Sequence, residues 1–148
     1  MEAGYFQTDL FAEKEPARLL MSNHNYGFPQ KAKNSDRVIW TRESVSDFPD
    51  LWISNLRFEN PQRISDANSQ QKDFNWLTVE LVEWKSFTGD TLKGLLYKPE
   101  NFDPAVKYPM IVYYYERNSE GLYRYSVPAP SRSTINRSFY CSNGYLVF

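Results

Sequence analysis

The sequence predicts a mainly β fold, and three observations predict it. Aromatic residues make up 17% of the 148 residues, and with many Val, Ile and Thr residues they favour strands over helices. Short apolar runs of strand length recur along the chain and are separated by turns rich in Pro, Gly and Asn. The last such run, residues 145–148, begins a buried strand at the point where the sequence ends. We therefore expect a β-rich fragment of a larger protein.

The first half of the chain consists of short strands joined by polar connections. The expected strands are residues 5–11, 18–21, 37–42, 50–56 and 63–65. The segment 22–36 is polar, lacks helical periodicity and is expected to be a loop. In the strand 50–56, Leu51, Ile53 and Asn55 share one face. Short strands at this spacing indicate one blade of a β-propeller or part of a β-sandwich.

The pattern changes after a polar linker at residues 66–73. Residues 79–87 and 91–98 predict a hairpin closed by Thr88-Gly89-Asp90. The nearly continuous apolar run 108–115 is expected for a strand that is covered on both faces and is central in its sheet. Residues 135–142 form either a short helix or a strand. These features predict two domains, residues 1–73 and residues 74–148.

Charge and cysteine content exclude several classes of partner. Lys and Arg number 17 against 18 Asp and Glu, so the net charge of -1 offers no binding surface for nucleic-acid phosphates or an anionic bilayer. No apolar run approaches the roughly 20 residues of a membrane span. Cys141 is the only cysteine, which excludes an internal disulfide and favours a small buried side chain. We expect neither a nucleic-acid partner nor a membrane partner.

The residue types needed for several kinds of catalysis are missing. None of the six glycines flanks a serine in a Gly-x-Ser-x-Gly pattern, which a nucleophile at a strand-to-helix turn requires. The only histidine, His24, lies in a polar segment and is expected to be solvated or hydrogen bonded rather than a catalytic base. One His and one Cys do not form a zinc site, and no Gly-rich phosphate loop precedes a helix. We expect no metal and no cofactor.

The run Tyr113-Tyr114-Tyr115 is the best candidate for chemistry. It ends an apolar strand, and ligands of open α/β sheets collect at the carboxyl ends of strands. In a strand Tyr113 and Tyr115 point to one side, where a phenolic hydroxyl can donate a hydrogen bond to a tetrahedral intermediate. The alternative is that these tyrosines pack in a core with their hydroxyls in water.

Four short motifs carry a family resemblance. They are the Gly89-Asp90 turn, Lys98-Pro99 after a strand, Tyr108-Pro109 before an apolar strand, and Asn143-Gly144-Tyr145 before the last strand. In this order they resemble the start of the α/β-hydrolase domain of prolyl oligopeptidase-type serine peptidases, in the dipeptidyl-peptidase-IV-like branch. The first half is similar to the last blade of that family's β-propeller. The fold implied is a final propeller blade followed by the first strands of an incomplete α/β-hydrolase sheet.

The resemblance also implies a function. The parent protein is expected to be a hydrolase that cleaves a peptide substrate through an acyl-enzyme, exported to the periplasm or secreted. Tyr115 matches the tyrosine that contributes to the oxyanion hole, whereas the nucleophile, Asp and His of the triad have no counterpart in these residues. Glu116-Arg117-Asn118-Ser119 departs from the Gly- and Pro-containing segment of many members. The chain alone is therefore expected to be inactive.

Two further expectations follow from the residues. The alternative to a peptidase fragment is a non-enzymatic β-rich module that uses exposed aromatic side chains to bind a peptide or a sugar. Unpaired strand edges recruit other strands, so self-association through such edges is also expected.

Overall fold

A computed structural model describes residues 3–115, 119–129 and 133–148. In these residues the chain is mainly β and forms three open sheets and one α-helix. It divides into two compact units, Met1–Asn68 and Ser69–Phe148. The mainly β prediction is confirmed, whereas a propeller blade and hydrolase strands are not confirmed by the sheets themselves.

The first unit contains seven strands in two sheets. They are β1 (Ala3–Gln7), β2 (Ala17–Ser22), β3 (Asn25–Tyr26), β4 (Gln30–Lys31), β5 (Arg37–Glu43), β6 (Asp50–Asn55) and β7 (Gln62–Arg63). β1 and β2 form an antiparallel pair, and the other strands form a sheet in the order β3-β5-β6-β7, with β4 also paired to β5. The polar segment predicted as a loop therefore contains two short strands that pair with β5.

The core of the first unit forms on one face of β5. Val38 and Trp40 alternate along this strand and are buried together with Phe58. Phe58 has a φ of 58°, a strained value for a bulky residue, and its ring lies 5.0 Å from that of Trp40 and 4.4 Å from that of Tyr5. We attribute the tolerance of this backbone conformation to the aromatic packing on both sides of the ring.

The face of β6 that is turned to the core carries two polar residues beside Trp52, which packs against the core. Asp50 and Ser54 are buried, whereas Leu51, on the face with Ile53 and Asn55, is exposed. Asp50 is compensated by hydrogen bonds, because its Oδ1 accepts from Ser65 Oγ at 2.5 Å and its Oδ2 lies 2.6 Å from Arg63 Nη2. Without such partners, the burial of a polar group would cost roughly 2–7 kcal/mol of free energy.

The described residues of the second unit form one mixed sheet. Its elements are a 3-10 helix (Ser69–Asp73), β8 (Leu77–Lys85), β9 (Thr91–Pro99), β10 (Met110–Ile111), a second 3-10 helix (Ser119–Gly121), α1 (Arg137–Ser142) and β11 (Leu146–Val147). The strand order is β10-β11-β9-β8. The predicted hairpin is confirmed as β8 and β9, which pair from Leu77 with Pro99 to Lys85 with Thr91. β10 and β11 are parallel, and β11 is antiparallel to β9.

The prediction of a central strand at residues 108–115 is wrong for the described residues. Met110–Ile111 form β10, and among the strands of the described residues it lies at one edge of the sheet and pairs with β11 alone. Met110 and Val112 are 52% and 61% exposed, so this segment is not covered on both faces. An apolar run indicates strand propensity but does not say how many neighbours the strand has.

The helical content also bears on membranes. None of the described helices combines the length and the apolar character that crossing a bilayer demands.

Candidate functional site

A cavity of about 540 Å³ opens on the sheet of the second unit. Its lining comes from β8, β9 and β11, from the segment 112–115 after β10, and from Arg137 at the start of α1. The three consecutive tyrosines 113–115 all contribute to it. Since β10 and β11 are parallel, the residues that follow both strands meet at the same edge of the sheet, where ligands of α/β sheets bind.

Backbone pairing positions the tyrosines. The Phe148 amide donates to the Ile111 carbonyl at 2.9 Å, and the Tyr113 amide donates to the Phe148 carbonyl at 2.7 Å. These two bonds continue the parallel pairing of β10 and β11 as far as Phe148 and Tyr113. The position of Tyr113 beside the cavity therefore follows from the strand register.

Gly94 on β9 provides space for the aromatic side of the cavity. A Cβ atom at this position would lie 2.7 Å from Phe148 Cζ and 3.1 Å from Trp84 Cζ3. The rings of Trp84 and Phe148 are 5.5 Å apart and inclined at 56°. Any side chain larger than hydrogen would displace one of these rings.

Tyr115 lies at the cavity with its side chain 75% exposed, next to Tyr114 at 87%. The structure thus brings the predicted tyrosines to a cavity rather than into a core. Tyr115 is thus mostly exposed at the cavity. Its role in an oxyanion hole stays a prediction, and the departure at residues 116–118 lies outside the described residues.

Sequence reasoning missed two further residues at the cavity, Tyr97 and Arg137. The Arg137 guanidinium carbon lies 5.1 Å from the centre of the Tyr97 ring, within the range of a cation–π contact. Burial raises the pKa of Tyr97, and the positive charge of Arg137 opposes this rise. No spacing rule links a strand residue to the start of a helix so far along the chain, so this pair had no signal in the sequence.

The charged groups at the cavity differ in whether they form ion pairs. Lys93 Nζ pairs with Glu83 Oε1 at 2.5 Å. Arg137 forms no ion pair within residues 3–115, 119–129 and 133–148. Glu120 is the only acidic residue that lines the cavity among the described residues.

The first unit holds a second polar cluster, formed by Ser22, His24, Tyr26 and Asp47. His24 Nδ1 lies 2.6 Å from Ser22 Oγ, which lies 2.5 Å from the Tyr26 hydroxyl. His24 Nε2 lies 3.7 Å from Asp47 Oδ2. Of the two states expected for His24, solvated or hydrogen bonded, the structure shows the hydrogen-bonded one, and its serine neighbour was missed.

This arrangement is not that of a working serine-histidine-aspartate triad. The distance of 3.7 Å from His24 to Asp47 is too long for the hydrogen bond that orients a catalytic imidazole, and Asp47 instead accepts from Ser44 Oγ at 2.7 Å. Burial and the charge of Arg42 lower the pKa of His24, and Asp47 opposes this effect. The cavity described above does not include these residues, so we assign them to holding the end of β2 beside the loop after β5.

A metal centre has no candidate in the described part of the chain. Nowhere in residues 3–115, 119–129 and 133–148 do three His, Cys, Asp or Glu side chains come together as metal ligands would.

The comparisons with known proteins identify a fold and no family. No model of a known protein family matches the chain, and no curated protein matches it. The solved structures that match include unliganded AtxE2 isopeptidase, at 15% identity and a TM-score of 0.62 over 96% of this chain. A serine-to-alanine variant of AtxE2 isopeptidase with Astexin3-dC4 bound matches at 14% identity and a TM-score of 0.56 over 90% of this chain. This chain spans about a fifth of the length of these structures, 20% and 19% respectively.

These findings correct the family resemblance. The chain was expected to resemble prolyl oligopeptidase-type peptidases of the dipeptidyl-peptidase-IV-like branch, but its structural neighbours are an isopeptidase at low identity and nothing points to that branch. Motifs such as Tyr108-Pro109 and Asn143-Gly144-Tyr145 stand just before strands, here β10 and β11. Residues of this kind serve the turn geometry before many strands, so they do not distinguish one family.

Proposed function

We propose that this chain is part of a larger hydrolase that acts on peptides, and that the cavity of the second unit binds the peptide beside the bond that is cleaved. The observation that carries the proposal is the placement of Tyr113, Tyr114 and Tyr115 at a cavity beside the carboxyl ends of two parallel strands. Exposed tyrosines offer apolar area and a hydroxyl at once, which suits a peptide backbone.

Within this proposal Tyr115 has a chemical role. When a nucleophilic oxygen attacks the peptide carbonyl, the carbonyl oxygen becomes negatively charged and a phenolic hydroxyl donates a hydrogen bond to it. The tetrahedral intermediate then expels the amine and leaves an acyl-enzyme, which water hydrolyses. We propose a serine in another part of the larger hydrolase as the nucleophile.

The likeness to AtxE2 isopeptidase supports the hydrolase class and a peptide partner. One of those structures holds Astexin3-dC4, and its fold matches 90% of this chain. At 14% and 15% identity the likeness concerns the fold alone, so the activity is proposed from the cavity and its tyrosines.

A binding module without catalysis is the second candidate. The same exposed aromatic side chains are enough to bind a peptide without any reaction. The two candidates differ in one respect, because only the hydrolase needs the hydroxyl of Tyr115 as distinct from its ring.

The test compares Tyr115→Phe with Tyr114→Phe in the larger protein, using a fluorogenic peptide amide. We expect Tyr115→Phe to lower kcat by about 10²-fold to 10³-fold with little change in KM, since the removed hydrogen bond forms only in the transition state. Tyr114→Phe removes a neighbouring exposed hydroxyl at the same cavity and is expected to change kcat less than threefold. Peptide binding without turnover in the unmodified protein would favour the binding module.

A further inference from the structure

We propose that Arg137 forms a subsite for a carboxylate of the bound peptide, so that the cavity prefers peptides with an acidic group at one position. This inference rests on the proposed function and specifies its substrate class. Arg137 lines the cavity and is half-buried, so its guanidinium is within reach of a ligand and partly protected from water.

The first step of the argument is the charge of the cavity. Among the described residues, three charged ones line it, Lys93, Glu120 and Arg137. Lys93 is neutralised by Glu83, which is not part of the lining. Arg137 forms no ion pair with the described residues, and a half-buried guanidinium at a cavity suits the carboxylate of a ligand.

The second step is the contact between the Arg137 guanidinium and the ring of Tyr97. Its carbon lies 5.1 Å from the centre of the Tyr97 ring, and this ring is 4% exposed on β9. A buried ring that contacts one face of a guanidinium limits its rotamers while leaving the N–H groups at its rim free to donate. Tyr97 is therefore a positioning residue, and Arg137 is the residue that contacts the ligand.

The third step is the geometry of the donor. A guanidinium binds a carboxylate through two parallel N–H···O hydrogen bonds, which an amide of the same shape does not reproduce. Discrimination between Glu and Gln, or between a free and an amidated carboxyl terminus, is thus the property that this site would show. A Glu side chain and a free carboxyl terminus offer Arg137 the same carboxylate group.

The experiment measures binding of four peptides to the 148-residue chain by tryptophan fluorescence, since Trp84 lines the cavity. The peptides share one sequence and an acetylated amino terminus. Two of them have amidated carboxyl termini and carry Glu or Gln at the central position. The other two end at this central Gln, with a free or an amidated carboxyl terminus. We expect a preference of about fivefold for one acidic peptide over its amide, as for a partly exposed ion pair.

Variants connect the preference to Arg137. Arg137→Gln is expected to remove the preference, and Arg137→Lys to keep part of it. Arg124→Gln removes an exposed arginine that is outside the cavity lining and is expected to change nothing. Tyr97→Leu, which keeps a buried apolar side chain, is expected to reduce the preference with less effect on the amide peptides.

The outcomes separate the two proposals. Equal affinity for acidic and amide peptides, or a preference that persists in Arg137→Gln, would overturn the carboxylate subsite and leave peptide binding intact. If none of the four peptides binds, the peptide site of the proposed function fails together with its subsite. A preference for the free carboxyl terminus alone would assign the ligand group to the end of the peptide.

Discussion

Asp50 is a buried residue of the first unit, and burial and its polar partners shift the pKa of its carboxyl group in opposite directions. Burial alone raises the pKa of its carboxyl group, but hydrogen bonds from Ser65 Oγ and the Ala67 amide, together with Arg63, outweigh this effect and hold the pKa below its usual range. A carboxylate with such partners stabilises the folded state in its charged form. Asp50 thus links β6 to the chain after β7.

The first prediction concerns Asp50→Asn. We expect the free energy of unfolding of the first unit to fall by about 1–3 kcal/mol at pH 7, because Arg63 loses its buried charged partner. The stability that Asp50 contributes is complete above the usual carboxyl pKa of about 4 and is lost as pH falls through the lower pKa of the folded state. The difference between the two proteins should therefore shrink as pH falls below about 4, measured by urea unfolding.

Asp66→Asn is the matched control for this prediction. Asp66 also pairs with Arg63, but its side chain is 63% exposed, so we expect a loss of no more than about 0.5 kcal/mol. Equal losses in the two variants would show that the buried position of Asp50 is not what matters.

Residue-scale features were only partly predictable. The tyrosines 113–115 were found because they are consecutive and follow an apolar run, and the structure places them at the cavity. Arg137 over Tyr97, and Ser22 beside His24, depend on side-chain contacts that sequence spacing does not encode. The face of β6 was hard to infer because its buried side carries Asp50 and Ser54 beside Trp52, and composition alone assigns these two polar residues to solvent.

At the scale of elements, patterns of apolar residues predicted most strands. The hairpin of β8 and β9 was found because nine-residue runs flank a Gly-Asp turn, with Gly89 at a φ of 90°. β3 and β4 were missed because each has two polar or half-buried residues and depends on pairing with β5. α1 begins at Arg137 and is capped by Asn136, whose side chain accepts from the Phe139 amide, a capping pattern that leaves the choice between helix and strand to the tertiary structure.

The second prediction concerns the outer edge of β10. Ile111 and Tyr113 bond to Phe148, so the backbone groups of Met110 and Val112 face the opposite edge, which no described residue pairs. We expect this edge to mediate self-association of the 148-residue chain, and Val112→Lys to weaken it by roughly tenfold, because a charged side chain disfavours strand pairing. Analytical ultracentrifugation over a concentration series measures the effect.

Val127→Lys provides the comparison for the edge variant. Val127 is also 61% exposed but lies outside every strand, so its substitution should leave the association constant unchanged. A chain that stays monomeric at high concentration would contradict the prediction, as would equal effects of the two lysines.

At the scale of the whole molecule, the sequence predicted a mainly β chain in two parts. Along the chain, the division into two compact units falls between Asn68 and Ser69, five residues before the expected boundary after residue 73, and the identity of each part stays a prediction. The family was wrong because short motifs before strands report local turn requirements, whereas fold likeness at 14% and 15% identity depends on the arrangement of the strands.

The last prediction concerns catalysis by the chain as a whole. The single histidine lies beside Ser22 in the first unit, whereas the tyrosines of the proposed site lie in the second. Because His24 does not donate an orienting hydrogen bond to Asp47, we expect Ser22 to have the low reactivity of an ordinary serine. Incubation of the 148-residue chain with a fluorophosphonate probe should therefore give no labelling above that of the heat-denatured chain, as read by intact-protein mass spectrometry. Ser22→Ala serves as the matched variant, and labelling of the native chain that this substitution abolishes would assign a nucleophile to the first unit and overturn the placement of catalysis beside Tyr115.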